Sequence, residues 1–309
     1  MGNRFTGGIV INFRQIQLQD KPVFDEFFRQ QYYENAHFNF TNLFMWRNAY
    51  QIEWAVEEDF LYTRASWGDQ KFVMQPFGPQ QHLGKAVEKW LNYFCDLGVP
   101  FMMSGVEAAP AAMIEQSMPG KLLISSDRDN YDYVYRVQDL IDLKGRSYHS
   151  KKNHVNSFRK NYSNYQYLSL TDELIGQCVD NIIEWCRKHG CYKDPILLAE
   201  KNAIIEVLNN FEALQLTGGV IVIDGKVEAF CFGEQLNTDT AVIHVEKANP
   251  EIRGAYAAIN QEFCRNNLSH LEYVNREEDM GIPGLRKAKQ SYHPVKMVEK
   301  YIITQKGKC

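Results

Sequence analysis

The stretch GVIVIDGKVEAFCFGEQLNTDTAVIHVEKANPEIRGAYAAINQEFCRN, residues 219–266, decides the fold. Its apolar run Gly219–Ile223 reads as a strand, and Asp224-Gly225 favours a tight I′ hairpin. The chain returns over Lys226–Gln235, turns again at Leu236–Thr240, and runs through Ala241–Lys247 as a third strand. This is an antiparallel meander. The loop Ala248–Gly254 leads into an amphipathic helix, Ala255–Asn266. Downstream, the pattern predicts a strand at Leu271–Asn275, a helix at Gly284–Ser291 and a last strand at Val295–Ile303. Upstream, Thr171–Gly190 has a Thr N-cap and a terminal glycine, and a second helix follows through Leu198–Leu214.

The first half repeats this order. Helical stretches at Pro22–Tyr33 and Phe40–Arg47 precede strands at Gln51–Val56, Phe60–Ala65 and Lys71–Gln75. After the Pro76-Phe-Gly-Pro79 loop come a helix at Leu83–Leu97, a strand at Val99–Met103, a short helix at Pro110–Met118 and a strand at Tyr131–Val137. The repeat is a duplication of architecture, not a short-period solenoid. It divides the chain into residues 1–143 and 144–309, with a helix over Tyr148–Asn161 opening the second part.

Composition bounds the function. With 309 residues, 45% of them hydrophobic, the chain can bury a large core, which excludes wholesale disorder. No apolar run approaches the ~20 residues that span a bilayer, and the N-terminus lacks a signal-peptide pattern. Gly2 and Thr6 fit a short myristoylation pattern, but an ordinary start is the preferred reading. Seven cysteines without a C-x-x-C pair argue for reduced thiols in a cytoplasmic chain and against a zinc site. The net charge of −4 hides a pattern. Residues 143–171 carry +6 and residues 283–309 another +6, which leaves −16 for the rest. Two basic segments on an acidic background point to an anionic partner at a defined site. The alternative is two solvated faces. The eight histidines are scattered, and no cluster has metal-ligand spacing.

A meander, an Arg-Gly loop, a helix, a parallel strand, a helix and a last strand resemble the Gcn5-related acyltransferase fold. Two such units in tandem resemble the Fem-type aminoacyl transferases. The chain more closely resembles the C-terminal catalytic domain of phosphatidylglycerol lysyltransferases, through Tyr131–Lys160 and Gly218–Tyr301. Val274-Asn-Arg-Glu-Glu-Asp279 and Gly284-Leu-Arg-Lys-Ala-Lys-Gln-Ser-Tyr292 carry the likeness in particular. The resemblance implies a mixed α+β fold of two acyltransferase-like units, each a mostly antiparallel sheet flanked by helices. It implies acyl or aminoacyl transfer to an amine or hydroxyl by direct attack, with the active site in the second unit. The first unit would be a scaffold, since its Pro76–Pro79 loop has no basic residue. The donor would be acyl-CoA or aminoacyl-tRNA, with no tightly bound cofactor, and the acceptor a small molecule, lipid or peptide. A non-catalytic protein that binds an anionic metabolite or a protein partner is the rival reading.

Such chemistry assigns candidate roles. The helix start at Gly254-Ala255-Tyr256, with Arg253, offers N–H groups and charge to a donor phosphate. Arg253 and Gly254 are adjacent, whereas the family loop spaces them as Arg-x-x-Gly. Lys151, Lys152, Arg159 and Lys160 would meet phosphates of coenzyme A or a tRNA acceptor stem. On strand 241–247 the period of two places His244 and Glu246 on one face, about 7 Å apart. By resemblance Glu246 is the proton acceptor and His244 the second choice; the alternative for Glu246 is an ion pair with a nearby Lys or Arg. Asn275, Glu277, Glu278 and Asp279 follow a strand and would orient an acceptor or aminoacyl amine, or else form a solvated loop. Lys289 and Tyr292, three apart on a helix, would steady the oxyanion or protonate the leaving group; simple packing is the alternative for Tyr292.

Overall fold

The computed structural model describes residues 11–307. The Gly2–Thr6 pattern lies outside them. Two compact units emerge, and neither is a continuous half of the chain. One contains residues up to Gln31, Arg47–Arg128 and everything from Glu299 on; the other contains Tyr32–Trp46 and Asp129–Val298.

The first unit holds a seven-stranded sheet. Its strands are β1 (Arg14–Gln15), β2 (Glu53–Glu57), β3 (Phe60–Trp67), β4 (Gln70–Val73), β5 (Met102–Glu107) and β6 (Leu122–Ser126), with the chain's last strand between β5 and β6. All neighbours are antiparallel except β4 and β5. Helices α1 (Lys21–Arg29), α3 (Leu83–Leu97) and α4 (Ala108–Ser117) belong to it, whereas α2 (Phe40–Trp46) belongs to the second unit. Leu83, Ala86, Val87, Trp90, Leu91 and Phe94 form the buried stripe of α3, which Gly98 ends in a left-handed conformation.

The second unit repeats the plan. Its sheet runs β13-β7-β12-β11-β10-β9-β8 and is antiparallel except between β11 and β12. The strands are β7 (Asp132–Arg136), β8 (Gln166–Ser169), β9 (Thr217–Ile223), β10 (Lys226–Gln235), β11 (Thr240–Ala248), β12 (Tyr273–Asn275) and β13 (Lys296–Val298). Strand β14 (Lys300–Gln305) crosses to the first sheet. The helices are α5 (Val137–Asp142), α6 (His149–Asn161), α7 (Asp172–His189), α8 (Pro195–Leu208), α9 (Ala255–Asn267) and α10 (Pro283–Gln290). Helix α9 covers one face of β9–β11, and its Ile259 and Phe263 join Ala241, Ile243 and Cys231 in the core. On the other face, α7 packs on β10, and α8 packs on α7.

The mixed fold of two acyltransferase-like units is therefore present, but its strands are shared out differently from the sequence reading. The strand at Tyr131–Val137 pairs in the second sheet, and the single strand expected at Val295–Ile303 breaks at Glu299 to serve both sheets. Alternation along a strand reports which face is buried, not which sheet it joins. The change of unit after Arg128 accordingly does not coincide with residue 143. Strands β6 and β8 went unread because both are largely exposed and lack the apolar alternation of a half-buried strand. Cys178, Cys186, Cys191, Cys231 and Cys264 are free and buried. Cys95 is disulfide-bonded, a departure from reduced thiols throughout, since spacing cannot reveal the partner of an isolated cysteine.

One irregularity in the second sheet sets the direction of its polar side chains. Phe232 pairs with Val245 but Gly233 pairs with Ile243, so His244 is an extra residue in β11, a β-bulge. A Cβ on Gly233 would lie 2.0 Å from the Val242 carbonyl oxygen. Gly233→Ala is expected to destabilise the fold by about 1–3 kcal/mol, measured by urea unfolding, because the bulge must reopen to admit the methyl group.

Candidate active site

Strands β11 and β12 run parallel for three residue pairs only, the last being Val242 with Asn275. Beyond it, β11 continues to Ala248 while the other chain stays with β7, through Arg276 N–H to Tyr133 O (2.9 Å) and Tyr133 N–H to Glu277 O (3.1 Å). The two strands part, and polar side chains bridge the gap.

The bulge reverses side-chain parity along β11. Ala241 and Ile243 face α9; past His244, Glu246 lies opposite Cys231 and accepts from Asn260 of α9 (2.9 Å). His244 turns the other way, to Glu234, which stands opposite Val242. Lys247 shares that other side, paired with Glu200 of α8 at 2.9 Å. The expected placement of His244 and Glu246 on one face is thus corrected. A strict period of two holds only while the register is unbroken.

On the α9 side, Arg276 reaches both oxygens of Glu246 through Nη2, at 3.0 and 3.2 Å, and each side chain is only 12% exposed. The guanidinium lies 4.6 Å from the centre of the Tyr292 ring, and Lys151 Nζ lies 3.9 Å from that same centre. Lys289 donates from Nζ to the carbonyl oxygens of Arg276 and Glu277. The Tyr135 hydroxyl donates to Lys289 O and the Tyr148 hydroxyl to Tyr292 O, which fixes the end of α10. Burial, then the neighbouring Arg276 charge, lowers both Lys151 and Lys289 to about 8. Burial pushes the Tyr292 phenol well above its ordinary value, and it pushes the Cys264 thiol up to about 12. The lysines therefore exchange protons near neutral pH, whereas the buried thiol stays protonated.

On the opposite side, the His244 ring is enclosed between Glu234 (3.1 Å from Nε2) and Glu277 (3.3 Å from Nδ1). Burial alone would lower its pKa, but hydrogen bonds to the two carboxylates outweigh burial and raise it to about 9. The rest of the acidic run is engaged as well. Glu278 lies 3.2 Å from His37, Asp279 accepts from Tyr133 (2.5 Å) and from Arg286 through both its oxygens, and Asn275 bonds Asp132 and Glu34 O. Burial opposes ionisation of Asp279, but the Arg286 and Tyr133 bonds win and hold it at about 2. Asn275, Glu277, Glu278 and Asp279 are thus a bonded cluster rather than a solvated loop.

The proposed donor residues divide. Arg253 is exposed, as is Tyr256, whose hydroxyl accepts from Trp185 Nε1 (3.0 Å). Ala255 is buried and its N–H is given to Ile252 O. A Cβ on Gly254 would fall 2.4 Å from the His154 carbonyl oxygen, so this glycine lets α6 lie against the start of α9. Arg159 is bound to Glu262 (2.7 Å) and Gln261 (3.0 Å). Lys152 and Lys160 stand exposed on α6. Only Lys151 of that helix's cations reaches the Glu246–Arg276–Tyr292 cluster. Among the described residues, no group of three His, Cys, Asp or Glu could hold a metal.

Sequence reasoning missed Arg276, Tyr135, Asn260 and Glu234. The signal for Arg276 was present, as the one cation in Asn275–Asp279, but its partner is 30 residues away.

Residues 29–304 match the model of the family described as phosphatidylglycerol lysyltransferase, C-terminal. The chain belongs to this family. A solved protein of unknown function from Bacteroides thetaiotaomicron is 39% identical, with 96% of this chain and 100% of that one covered and a TM-score of 0.90. The C-terminal domain of a putative lysylphosphatidylglycerol synthetase from Agrobacterium fabrum shares the fold at 12% identity and a TM-score of 0.67, over 94% of this chain and 92% of its own. A tandem acyltransferase-fold protein from the clavulanic acid pathway shares it at 10% identity, over 97% of this chain and 100% of its own, with a TM-score of 0.51. An uncharacterised protein of Mycoplasmoides gallisepticum is 24% identical over 56% of this chain, and the match spans 55% of that relative's length. Among the described residues no helix is long and apolar enough to cross a membrane.

The raised pKa of His244 makes the stability of this protein depend on pH. Its folded value of about 9 exceeds the ordinary 6.5, so its stabilisation is full below about pH 6.5 and is lost as pH rises through 9. The stability gap between the wild type and His244→Gln, from urea unfolding, is expected to shrink between about pH 6 and pH 9.5.

Proposed function

We propose that the protein is an aminoacyl transferase that moves an aminoacyl group from a tRNA to an amine or hydroxyl acceptor by direct attack, with no bound cofactor. The observation that carries this reading is the pair of Arg276 and Lys151 on the Tyr292 ring, with Glu246 bound to Arg276 and the Lys289 ammonium held on the carbonyl of that same arginine. Preorganised cations in a partly buried site favour the oxyanion of acyl transfer. Lys289, near 8, takes the proton of the acceptor as it adds to the ester carbonyl. The tetrahedral oxygen is held by Arg276 and Lys151. On collapse the acyl–oxygen bond to the ribose breaks, the departing oxygen takes a proton from the Tyr292 phenol, and the proton taken up by Lys289 passes back to the Tyr292 phenolate, which restores both groups. Glu246 orients Arg276 in this scheme.

Two features favour RNA over coenzyme A as donor. The start of α9, the pyrophosphate cradle that the sequence suggested, is packed against the His154 carbonyl. The chain from residue 143 to 171 has six cations and no acid, and Lys144, Arg146, Lys152 and Lys160 are exposed. The lipid-related family makes a lipid hydroxyl a leading acceptor. A non-catalytic binding role is the second reading, favoured by the full engagement of Glu246 with Arg276 and Asn260.

Calorimetric titration is expected to give salt-sensitive binding of aminoacyl-tRNA and none of acetyl-CoA. Lys289→Met and Tyr292→Phe should each lower kcat about 10²–10³-fold while the fold survives. Saturable acetyl-CoA binding without tRNA binding would sink the donor assignment, and variants that change affinity alone would favour the binding role.

A further inference from the structure

Arg276 and Glu277 are consecutive, yet each is tied to β11, on opposite faces of the sheet. Arg276 meets Glu246 on the α9 side, and Glu277 meets His244 on the other. Glu277 has a left-handed backbone with φ of 58°, a conformation that side chains other than glycine rarely adopt. Its N–H is donated to Asn275 Oδ1 (2.8 Å) and its carboxylate also accepts from Asn42 of α2 (3.5 Å). The carbonyls of these same two residues receive Lys289 Nζ, and they hold no other ammonium among the described contacts. His244 touches neither Lys289 nor the Tyr292 cluster in any described contact, being on the far side of β11.

We propose that His244 is a positioning residue: bonded to Glu234 and Glu277 at once, it locks the left-handed turn at Glu277, so that the carbonyls of 276 and 277 hold the Lys289 ammonium inside the site. The idea rests on the transfer reading above only for what Lys289 does, not for where it is held. A doubly bonded ring suits the task. The imidazolium donates from both nitrogens, one to each carboxylate, whereas a neutral ring donates from one alone. The charges facing it are Glu234 from β10 and Glu277 from the chain after β12; Glu278 with His37 lies one residue beyond, and α2 contributes the neutral Asn42. The bulge makes the arrangement possible, because without the extra residue Glu246 would fall on the side of His244, away from α9 and Arg276.

The test measures geometry and needs no substrate. Amide hydrogen exchange at Arg276 and Glu277 and the NMR titration of Lys289, assigned through Lys289→Arg, are compared in His244→Gln, Glu277→Ala and Glu277→Gln. Loss of the lock in the first two is expected to speed exchange at 276–277 about tenfold and to raise the Lys289 midpoint by a unit or more, as the ammonium leaves the carbonyls for solvent. Glu277→Gln keeps an acceptor for the imidazolium and removes only charge, so exchange should stay slow and the midpoint should not rise. The glutamate is partly exposed, so Glu277→Ala keeps the test open if His244→Gln fails to fold. Folded variants with unchanged exchange and an unchanged Lys289 midpoint would overturn the proposal. So would Glu277→Gln behaving like Glu277→Ala. Neither result bears on which donor is used, so the two readings fail separately.

Discussion

The parting of β11 from β12, and the two polar bridges that span it, is the constraint on which the second unit's candidate site depends. Parallel strands that stop pairing leave backbone groups and apolar side chains to be accommodated some other way. Here the chain leaving β12 keeps its bonds to β7, and its next two side chains reach back to β11 on opposite faces. Arg276 turns to one face, and beyond it the left-handed backbone at Glu277 accompanies a side chain that reaches the other. The partners must therefore also face opposite ways, and the bulge at His244 arranges this. Buried charges are tolerable only when paired and hydrogen-bonded, which accounts for Asn260 on Glu246 and for the second carboxylate on His244.

The chemistry assembled around that opening comes from segments far apart in the chain. Lys151 is on α6, Glu246 on β11, Arg276 after β12, and Lys289 on α10 with Tyr292 just beyond it. Lys151 of the first basic stretch and Arg276, which lies outside both stretches, meet at one ring, Tyr292. Most of α6's remaining positive charge is turned outward, and Arg159 is taken up by Glu262. The same helix closes over the start of α9, so one element both supplies a site lysine and occupies the expected phosphate cradle.

Much of the fold was legible. The helix at Leu83–Leu97 and the meander around Asp224-Gly225 follow from apolar period and turn chemistry, and both are found where they were read. The parallel strand after the helix is present as β12. Exposed edge strands carried no such period and were missed. The acidic run after Asn275 was visible as a cluster, but its composition suggested an open, ligand-facing loop. Its closure depends on His244, His37, Tyr133 and Arg286, none of which a local window connects to it.

By itself the sequence determined the order of most elements, the duplication, the family resemblance and many of the residues from which a site could be built, because these depend on local periodicity and residue type. Only the tertiary structure decided which sheet each terminal strand joins, that His244 and Glu246 face apart, and that Arg276 is the centre of the cluster. Those outcomes turn on register, on one extra residue in a strand, and on charge pairs formed across long stretches of chain. A sequence pattern carries no distance for any of them.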